Sequence, residues 1–189
     1  MAHKFNPINI KKLDNEWRRE NLPPFETLQK LGVEATDVFA DIGCGIGYFT
    51  IPAATMTKNN VYALDTSAAM LEELKIRANE ADLENVVLTQ TAEYDLKLPN
   101  ESVTFALLVN VIHEIDNKEK FLNEINRILK TGGKLAVIDW EKAELEMGPP
   151  ISHRLGKDTL AKMLKEIKFD CQKTMSFTEN FYGLVFIKN

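Results

Sequence analysis

The sequence predicts an α/β protein of three layers, built on a seven-stranded sheet that is mostly parallel and closes with reversed C-terminal strands. Three observations predict it. Short apolar runs alternate with segments of helical spacing from residue 38 onward. The first run leads through three glycines at alternate positions, Gly43, Gly45 and Gly47, into a helix-spaced segment. The last two runs are separated by so short a turn, around Glu179-Asn180, that they must pair antiparallel. The chain's 189 residues suit a single core.

The elements follow in order. Residues 1–22 are polar and weakly periodic, with Lys11, Lys12, Arg18 and Arg19 alternating with Asp14, Glu16 and Glu20 around Trp17. They read as a surface arm. Pro23-Pro24 open a short helix over residues 25–31, with Phe25, Leu28 and Leu31 on one face and Gly32 as its stop. Strands are expected at residues 38–42 and 61–65, with a helix over 49–56 between them. Pro52 falls near that helix's first turn, where backbone N–H groups lack partners anyway. Ser67 can cap the next helix, which places Met70, Leu71, Leu74 and Ala78 on one face. Residues 85–89 read as a third strand. Residues 103–109 are nearly all apolar, as in a strand covered on both faces.

Asp116 with Glu119 three residues later reads as a capping box for a helix that buries Phe121, Leu122, Ile125, Ile128 and Leu129. Gly132-Gly133 are expected to stop that helix and turn the chain into a fifth strand, residues 134–140, with Asp139 at its end. Pro149-Pro150 stiffen a loop, residues 147–154, before a helix carrying Leu160, Met163, Leu164 and Ile167. Residues 171–177 and 181–187 make the closing hairpin.

The glycine stretch carries the functional signal. A strand, a glycine turn and a helix in that order gather free N–H groups and the positive helix end at one spot. Glycine turns with positive φ and lets a ligand approach with no Cβ in the way. The spacing is G-x-G-x-G. A dinucleotide fingerprint wants G-x-G-x-x-G, and Tyr48 stands where its third glycine would be. No Gly-Lys-Ser/Thr follows, so this is not a P-loop. A second acid, Asp65, ends the next apolar run, where a carboxylate can accept hydrogen bonds from both hydroxyls of a ribose. That geometry serves NAD and other nucleoside ligands alike.

At these residues the chain resembles the class I S-adenosylmethionine-dependent methyltransferases, close to the ubiquinone-biosynthesis-type members. Asp41-Ile42-Gly43-Cys44-Gly45-Ile46-Gly47 is similar to their first motif, an acid, any residue, then Gly-x-Gly-x-Gly. Leu64-Asp65-Thr66-Ser67-Ala68-Ala69-Met70-Leu71 looks like their acid-x-Ser-x-x-Met-Leu pattern, and Arg127 to Gly133 like their R-x-L-K-x-G-G segment. The resemblance covers about residues 36–189. It implies a Rossmann-like sheet with a reversed C-terminal strand, and a domain at 36–189 preceded by an arm and helix, 1–35, that cover the cofactor. It implies that Trp17 shields the methionine end and that Arg18 or Arg19 meets a carboxylate there. It assigns S-adenosyl-L-methionine, with S-adenosyl-L-homocysteine as product, to Asp41, Gly43, Cys44, Gly45, Gly47, Asp65, Thr66, Met70, Ala92, Glu93 and Asn110. The adenine loop departs from the family: Gly-Asp-Ala is common there, and this chain has Thr91-Ala92-Glu93. Asn/Asp-Pro-Pro-Tyr is absent after the fourth strand, which speaks against adenine-N6 or glutamine-amide acceptors.

Composition narrows the partners. The net charge is −5 with no basic block, against a general affinity for nucleic acid or anionic membrane. No apolar run approaches the ~20 residues of a membrane-spanning helix, and the start of the chain lacks the apolar stretch of a secretory signal. Cys44 and Cys171 form no C-x-x-C pair, so a reducing cytoplasm is the expected setting. The expected partner is a small-molecule methyl acceptor.

Methyl transfer from a sulfonium is an in-line displacement with a neutral leaving group, so alignment supplies much of the catalysis. A base helps only an acceptor that carries a proton. His113, just past the fourth strand, is the first candidate. His153 is a candidate substrate contact and Asp139 a third candidate. A metal needs three or four convergent ligands. His113, Glu114, Asp139 and His153 have no metal-ligand spacing, so none is expected. Three readings stand: a small-molecule methyltransferase, an NAD-dependent oxidoreductase, against which Tyr48 and the reversed strands speak, and a non-catalytic S-adenosyl-ligand-binding protein.

Overall fold

The computed structural model describes residues 13–189. Lys11 and Lys12 of the arm lie outside the described residues. The elements in chain order are α1 (Glu16–Asn21), α2 (Pro24–Leu31), β1 (Phe39–Ile42), α3 (Thr50–Met56), β2 (Val61–Asp65), α4 (Ala68–Glu80), β3 (Val86–Gln90), β4 (Val103–Val109), α5 (Lys118–Ile128), β5 (Leu129–Trp140), α6 (Lys157–Glu166), β6 (Phe169–Ser176) and β7 (Phe181–Lys188).

The strands form one seven-stranded sheet in the order β3-β2-β1-β4-β5-β7-β6. The first five strands pair parallel, while β7 runs antiparallel to both β5 and β6. The α/β sheet with reversed C-terminal strands is therefore as the sequence predicts. Both faces are covered. Leu28 and Leu31 of α2 and Ala53 and Ala54 of α3 pack with Phe39, Phe105, Leu107 and Ile138 on one face. Phe121, Leu122 and Ile125 of α5 and Leu160 and Leu164 of α6 pack with Ile42, Leu108, Val137 and Leu184 on the other. Burial on both faces explains why β1, apart from Asp41, and β4, apart from Thr104, read as apolar runs. The outer strand β6 is mostly exposed and carries polar side chains, which blunts a free sheet edge.

The chain leaves β1 toward β2 on one side and later returns to pair β4 on the other. That reversal opens a crevice at the carboxyl ends of β1 and β4, where open α/β sheets bind ligands.

Three local expectations are corrected. The helix cap before α5 is Asn117, whose side chain accepts from the Lys120 N–H, rather than Asp116. Phe25, in the first turn of α2, is exposed, whereas Leu28 and Leu31 of the same helix are buried. Gly132 and Gly133 do not stop α5. The helix ends at Ile128, and the glycines lie inside β5, where pairing with β4 jumps from Val103–Leu129 to Phe105–Lys134. A Cβ on Gly133 would stand 2.8 Å from the Lys130 carbonyl oxygen and 3.0 Å from that of Thr104. The glycine serves a bulge with close backbone approach.

Candidate functional site

The β1–α3 turn is built by backbone. Gly43 and Cys44 donate their N–H groups to the Leu64 carbonyl, at 2.7 and 3.1 Å, tying the turn to β2. Gly43, Gly45 and Gly47 all have positive φ. Each also meets a different element. A Cβ on Gly43 would come within 2.5 Å of Val111, just past β4, and one on Gly47 within 2.2 Å of Leu74 on α4. At Gly45 the first neighbour would be Leu13 of the arm, at 3.3 Å. The three glycines therefore let β4, α4 and the arm close on one turn.

Asp65 faces that turn. Its Oδ2 accepts from the Gly45 N–H at 2.9 Å and its Oδ1 from the Ser67 N–H at 2.8 Å. Ser67 caps α4, as expected, by accepting from the Met70 N–H. A carboxylate offers about four lone-pair sites, so Asp65 keeps acceptor capacity after both backbone bonds. Asp41 is different. It is buried, and Thr50 Oγ1 donates to its Oδ2 at 2.6 Å. Burial pushes its carboxyl up to about 6, against the opposing pull of Thr50 and Arg18. It fastens the turn to α3 from within. Cys44 is buried too, and burial raises its thiol well above the ordinary range.

The arm folds over this turn as α1, and it separates the two arginines. Arg19 points outward to Asp14, at 2.7 Å. Arg18 turns inward, its guanidinium carbon 4.5 Å from the Tyr48 ring centroid. Its Nη1 donates to the Leu13 carbonyl at 3.0 Å, while its buried Nε has no partner among the described residues. Tyr48, in the place of a dinucleotide glycine, is the platform for Arg18, and its hydroxyl donates to the Leu22 carbonyl at 2.9 Å. Trp17 stacks on Trp140 at the end of β5, with centroids 6.1 Å apart, and both lie against Phe181.

The end of β4 supplies a second sealed polar atom. Asn110 has φ +59, and its buried Oδ1 has no partner among the described residues. Of the remaining cofactor candidates, Met70 is buried at the start of α4, Thr66 is exposed, and Ala92 is bridged to Asp95. Glu93 is hydrogen-bonded to Tyr94, which raises that phenol's pKa.

Next to Asn110, His113 sits in a 3-10 turn, Ile112–Glu114. Its Nδ1 lies 2.8 Å from Asp139 Oδ1. Asp139 also accepts from the Trp140 N–H at 2.7 Å and the His113 N–H at 3.3 Å. The structure thus brings two of the three catalytic candidates together. His153 is exposed on the later turn, Ile151–His153. Among the described residues no group of three or more His, Cys, Asp or Glu side chains has the arrangement to hold a metal ion.

Arg154 carries no functional signal in the sequence. It is buried, and its guanidinium donates to the carbonyls of Pro149, Glu141, Ala143 and Met147 at 2.7–3.2 Å. It stitches the loop after β5 into one shape. Its partners are carbonyls, which every residue has, so no residue pattern announces it.

The protein-family model described as a methyltransferase domain matches residues 40–137, just over half of the chain. The chain belongs to that family. The matched segment runs from β1 to the middle of β5 and so contains the glycine turn, Asp65, Asn110 and His113. A structure described as a SAM-dependent methyltransferase from Aquifex aeolicus superposes with a TM-score of 0.92 at 28% identity, covering 98% of this chain and 100% of that one. The demethylmenaquinone methyltransferase of Listeria welshimeri is 29% identical over 138 residues, 72% of this chain and 56% of that protein. The 27-O-demethylrifamycin SV methyltransferase of Amycolatopsis mediterranei is 28% identical over 136 residues, 69% and 50%. The chain thus spans about half the length of these curated relatives.

Proposed function

We propose that the protein is an S-adenosylmethionine-dependent methyltransferase acting on a small-molecule acceptor. The observation that carries this reading is the pair of sealed polar atoms, Arg18 Nε and Asn110 Oδ1, which have no partner among the described residues and flank a glycine turn that faces Asp65. Buried polar atoms without partners are costly, and a ligand that satisfies them removes the cost. S-adenosylmethionine has the matching groups: a carboxylate for the guanidinium, an ammonium for the amide oxygen, and a ribose diol for the spare lone pairs of Asp65.

When bound, the cofactor supplies a methyl group on a positively charged sulfur. The chain's own residues do the rest. Arg18 and Asn110 hold the amino-acid end, Asp65 fixes the ribose, Glu93 lies toward the adenine, and Gly45 allows the close approach. Cys44, Thr66, Met70 and Ala92 line the path in the same reading, while Asp41 acts from behind the turn. Of the arm and helix at 1–35, the described residues, 13–35, form the cover in this reading, with Trp17 pinned on Trp140 to exclude water, and 36–189 form the domain. The relatives named for demethylmenaquinone and for a rifamycin favour a small organic acceptor over a macromolecule. We place the protein in the cytoplasm, since Cys44 and Cys171 are both free thiols. Among the described residues no helix is long and apolar enough to cross a membrane.

The test is incubation with S-adenosylmethionine and a panel of quinols, phenols, amines and thiols, read by S-adenosylhomocysteine release and product mass. Transfer to any member supports the reading. Tight S-adenosylhomocysteine binding without transfer favours a binding protein, and binding of NAD alone favours an oxidoreductase.

A further inference from the structure

Asp41 lies behind the glycine turn, and its surroundings are unusual for a carboxylate. It is 4% exposed, in the middle of the sheet. The strands beside it place Ala63 and Leu107 opposite it, which carry no charge. Its hydrogen bonds both come from Thr50 on α3, the hydroxyl at 2.6 Å and the backbone N–H, so its bonding partner is neutral. Three elements bring titratable groups within range. Arg18 acts on it from α1 as a cation, and Asp65 from β2 as an anion. In the turn itself, Cys44 and Tyr48 stay neutral, because burial raises both. Arg18 is itself short of partners. Burial works against its charge, while Tyr48, Asp41 and Asp14 support it. Its Nη1 is spent on the Leu13 carbonyl, and its sealed Nε has no partner among the described residues. One guanidinium therefore serves Asp41 in the free protein and, in the proposed complex, the carboxylate of the cofactor.

We propose that cofactor binding is linked to a proton on Asp41: the ligand's carboxylate takes over the charge of Arg18, and Asp41 responds by taking up a proton from solvent. The proposal rests on the methyltransferase reading and deepens it, since it makes the proton a second ligand of the same site. The step balances, because one proton passes from the buffer to the Asp41 carboxylate and no other bond changes. The two anions compete. While Asp41 is ionised it holds part of the Arg18 field, and an incoming carboxylate meets a cation already partly neutralised. Once Asp41 is protonated, the whole field is open to the ligand.

The electrostatics give the sign. Burial pushes the Asp41 carboxyl up to about 6, with Asp65 adding to it and with Thr50 and Arg18 pulling it down. Taking the Arg18 pull away moves it further up. A neighbouring cation is worth about tenfold or more in such an equilibrium. Asp41 thus holds its proton more firmly in the complex than in the free protein. The protonated form binds more tightly, and affinity falls as pH rises through the two values. The ribose leaves the charge of Asp65 unchanged, because its hydroxyls are neutral. S-adenosylhomocysteine is the cleaner probe, because its sulfur carries no charge.

The test is calorimetric titration of the full chain with S-adenosylhomocysteine, in buffers of different ionisation enthalpy and over a series of pH values. Near pH 6.5, wild type should take up about half a proton for each ligand bound. Its Kd should rise about five- to tenfold between about pH 5 and pH 8. Asp41→Asn keeps an oxygen for the Thr50 hydroxyl. It should take up no proton and lose the slope, and it also subtracts any proton that the ligand itself moves. Arg18→Gln should bind more weakly and take up none, because the ligand then has no guanidinium charge to withdraw. Carboxyl-carbon NMR of Asp41 in wild type, assigned through its backbone, should show the midpoint moving up when ligand is added. That measurement decides the matter if Asp41→Asn fails to fold. Proton release on binding, uptake that persists in a folded Asp41→Asn, or a carboxyl midpoint that stays or falls would overturn the proposal. Failure of wild type to bind S-adenosylhomocysteine at any pH would instead sink the methyltransferase reading beneath it.

Discussion

The two halves of the crevice are made in different ways. The half around β1 and β2, where we propose the cofactor sits, is held through backbone groups, with Gly43 and Cys44 donating to the Leu64 carbonyl and Gly45 N–H to the Asp65 carboxylate. The half around β4 and β5, where we propose the acceptor enters, is held by side chains, with His113 on Asp139 and Arg154 on four carbonyls of its loop. A backbone cradle needs glycines at set spacing, and so it leaves a motif. A side-chain assembly needs only residues that meet in space, and so it leaves almost none. The first half suits a ligand common to many proteins. The second is free to vary with the acceptor.

If that division holds, damage to one half should leave the other working. The largest effect is expected at Gly47→Ala, which forces a side chain onto φ +85 and against Leu74. The left-handed backbone costs about 1–2 kcal/mol and the overpacking about 1–3 kcal/mol. Urea unfolding should show the sum, and S-adenosylhomocysteine binding should fall with it. An intact midpoint would mean that the turn is less constrained than its geometry.

If Arg18 holds the cofactor as proposed, Arg18→Ala should weaken S-adenosylhomocysteine binding about 10- to 100-fold. Arg19→Ala, at an exposed ion pair with Asp14, should leave it within about twofold. Equal effects would place both arginines outside the cradle. Calorimetry distinguishes the two.

Arg154→Ala should act on the other half alone. Amide exchange across residues 141–154 should speed up about tenfold or more as four carbonyls lose their donor. Cofactor binding should change by less than about twofold. Loss of binding in this variant would mean that the halves are coupled through Trp140, over which Arg154 lies at 5.8 Å.

The same division explains what could be read in advance. The β1 turn, the exact span of β2, Ser67 as a cap and the buried face of α4 were legible, since each is set by neighbours in sequence. The reversed hairpin was legible from the length of its turn. The β5 bulge was not: Gly132-Gly133 look like a helix stop, and only pairing with β4 shows them to be in a strand. Asn117 displaced Asp116 as a cap by one residue, a choice between equally good capping residues. Arg18 and Arg19 were indistinguishable until α1 set which faces the turn. His113 and Asp139 were separate candidates, and their 2.8 Å contact follows from the β4–β5 register.

Binding of S-adenosylhomocysteine to wild type and to Asp65→Ala, measured by calorimetry with unfolding midpoints as a check on folding, bears most directly on the account. Saturable binding by wild type, weakened at least about 30-fold in a folded Asp65→Ala, is the predicted result, for the loss of a charged acceptor at the ribose. Equal binding by both proteins, or binding of NAD in place of S-adenosylhomocysteine, would contradict it.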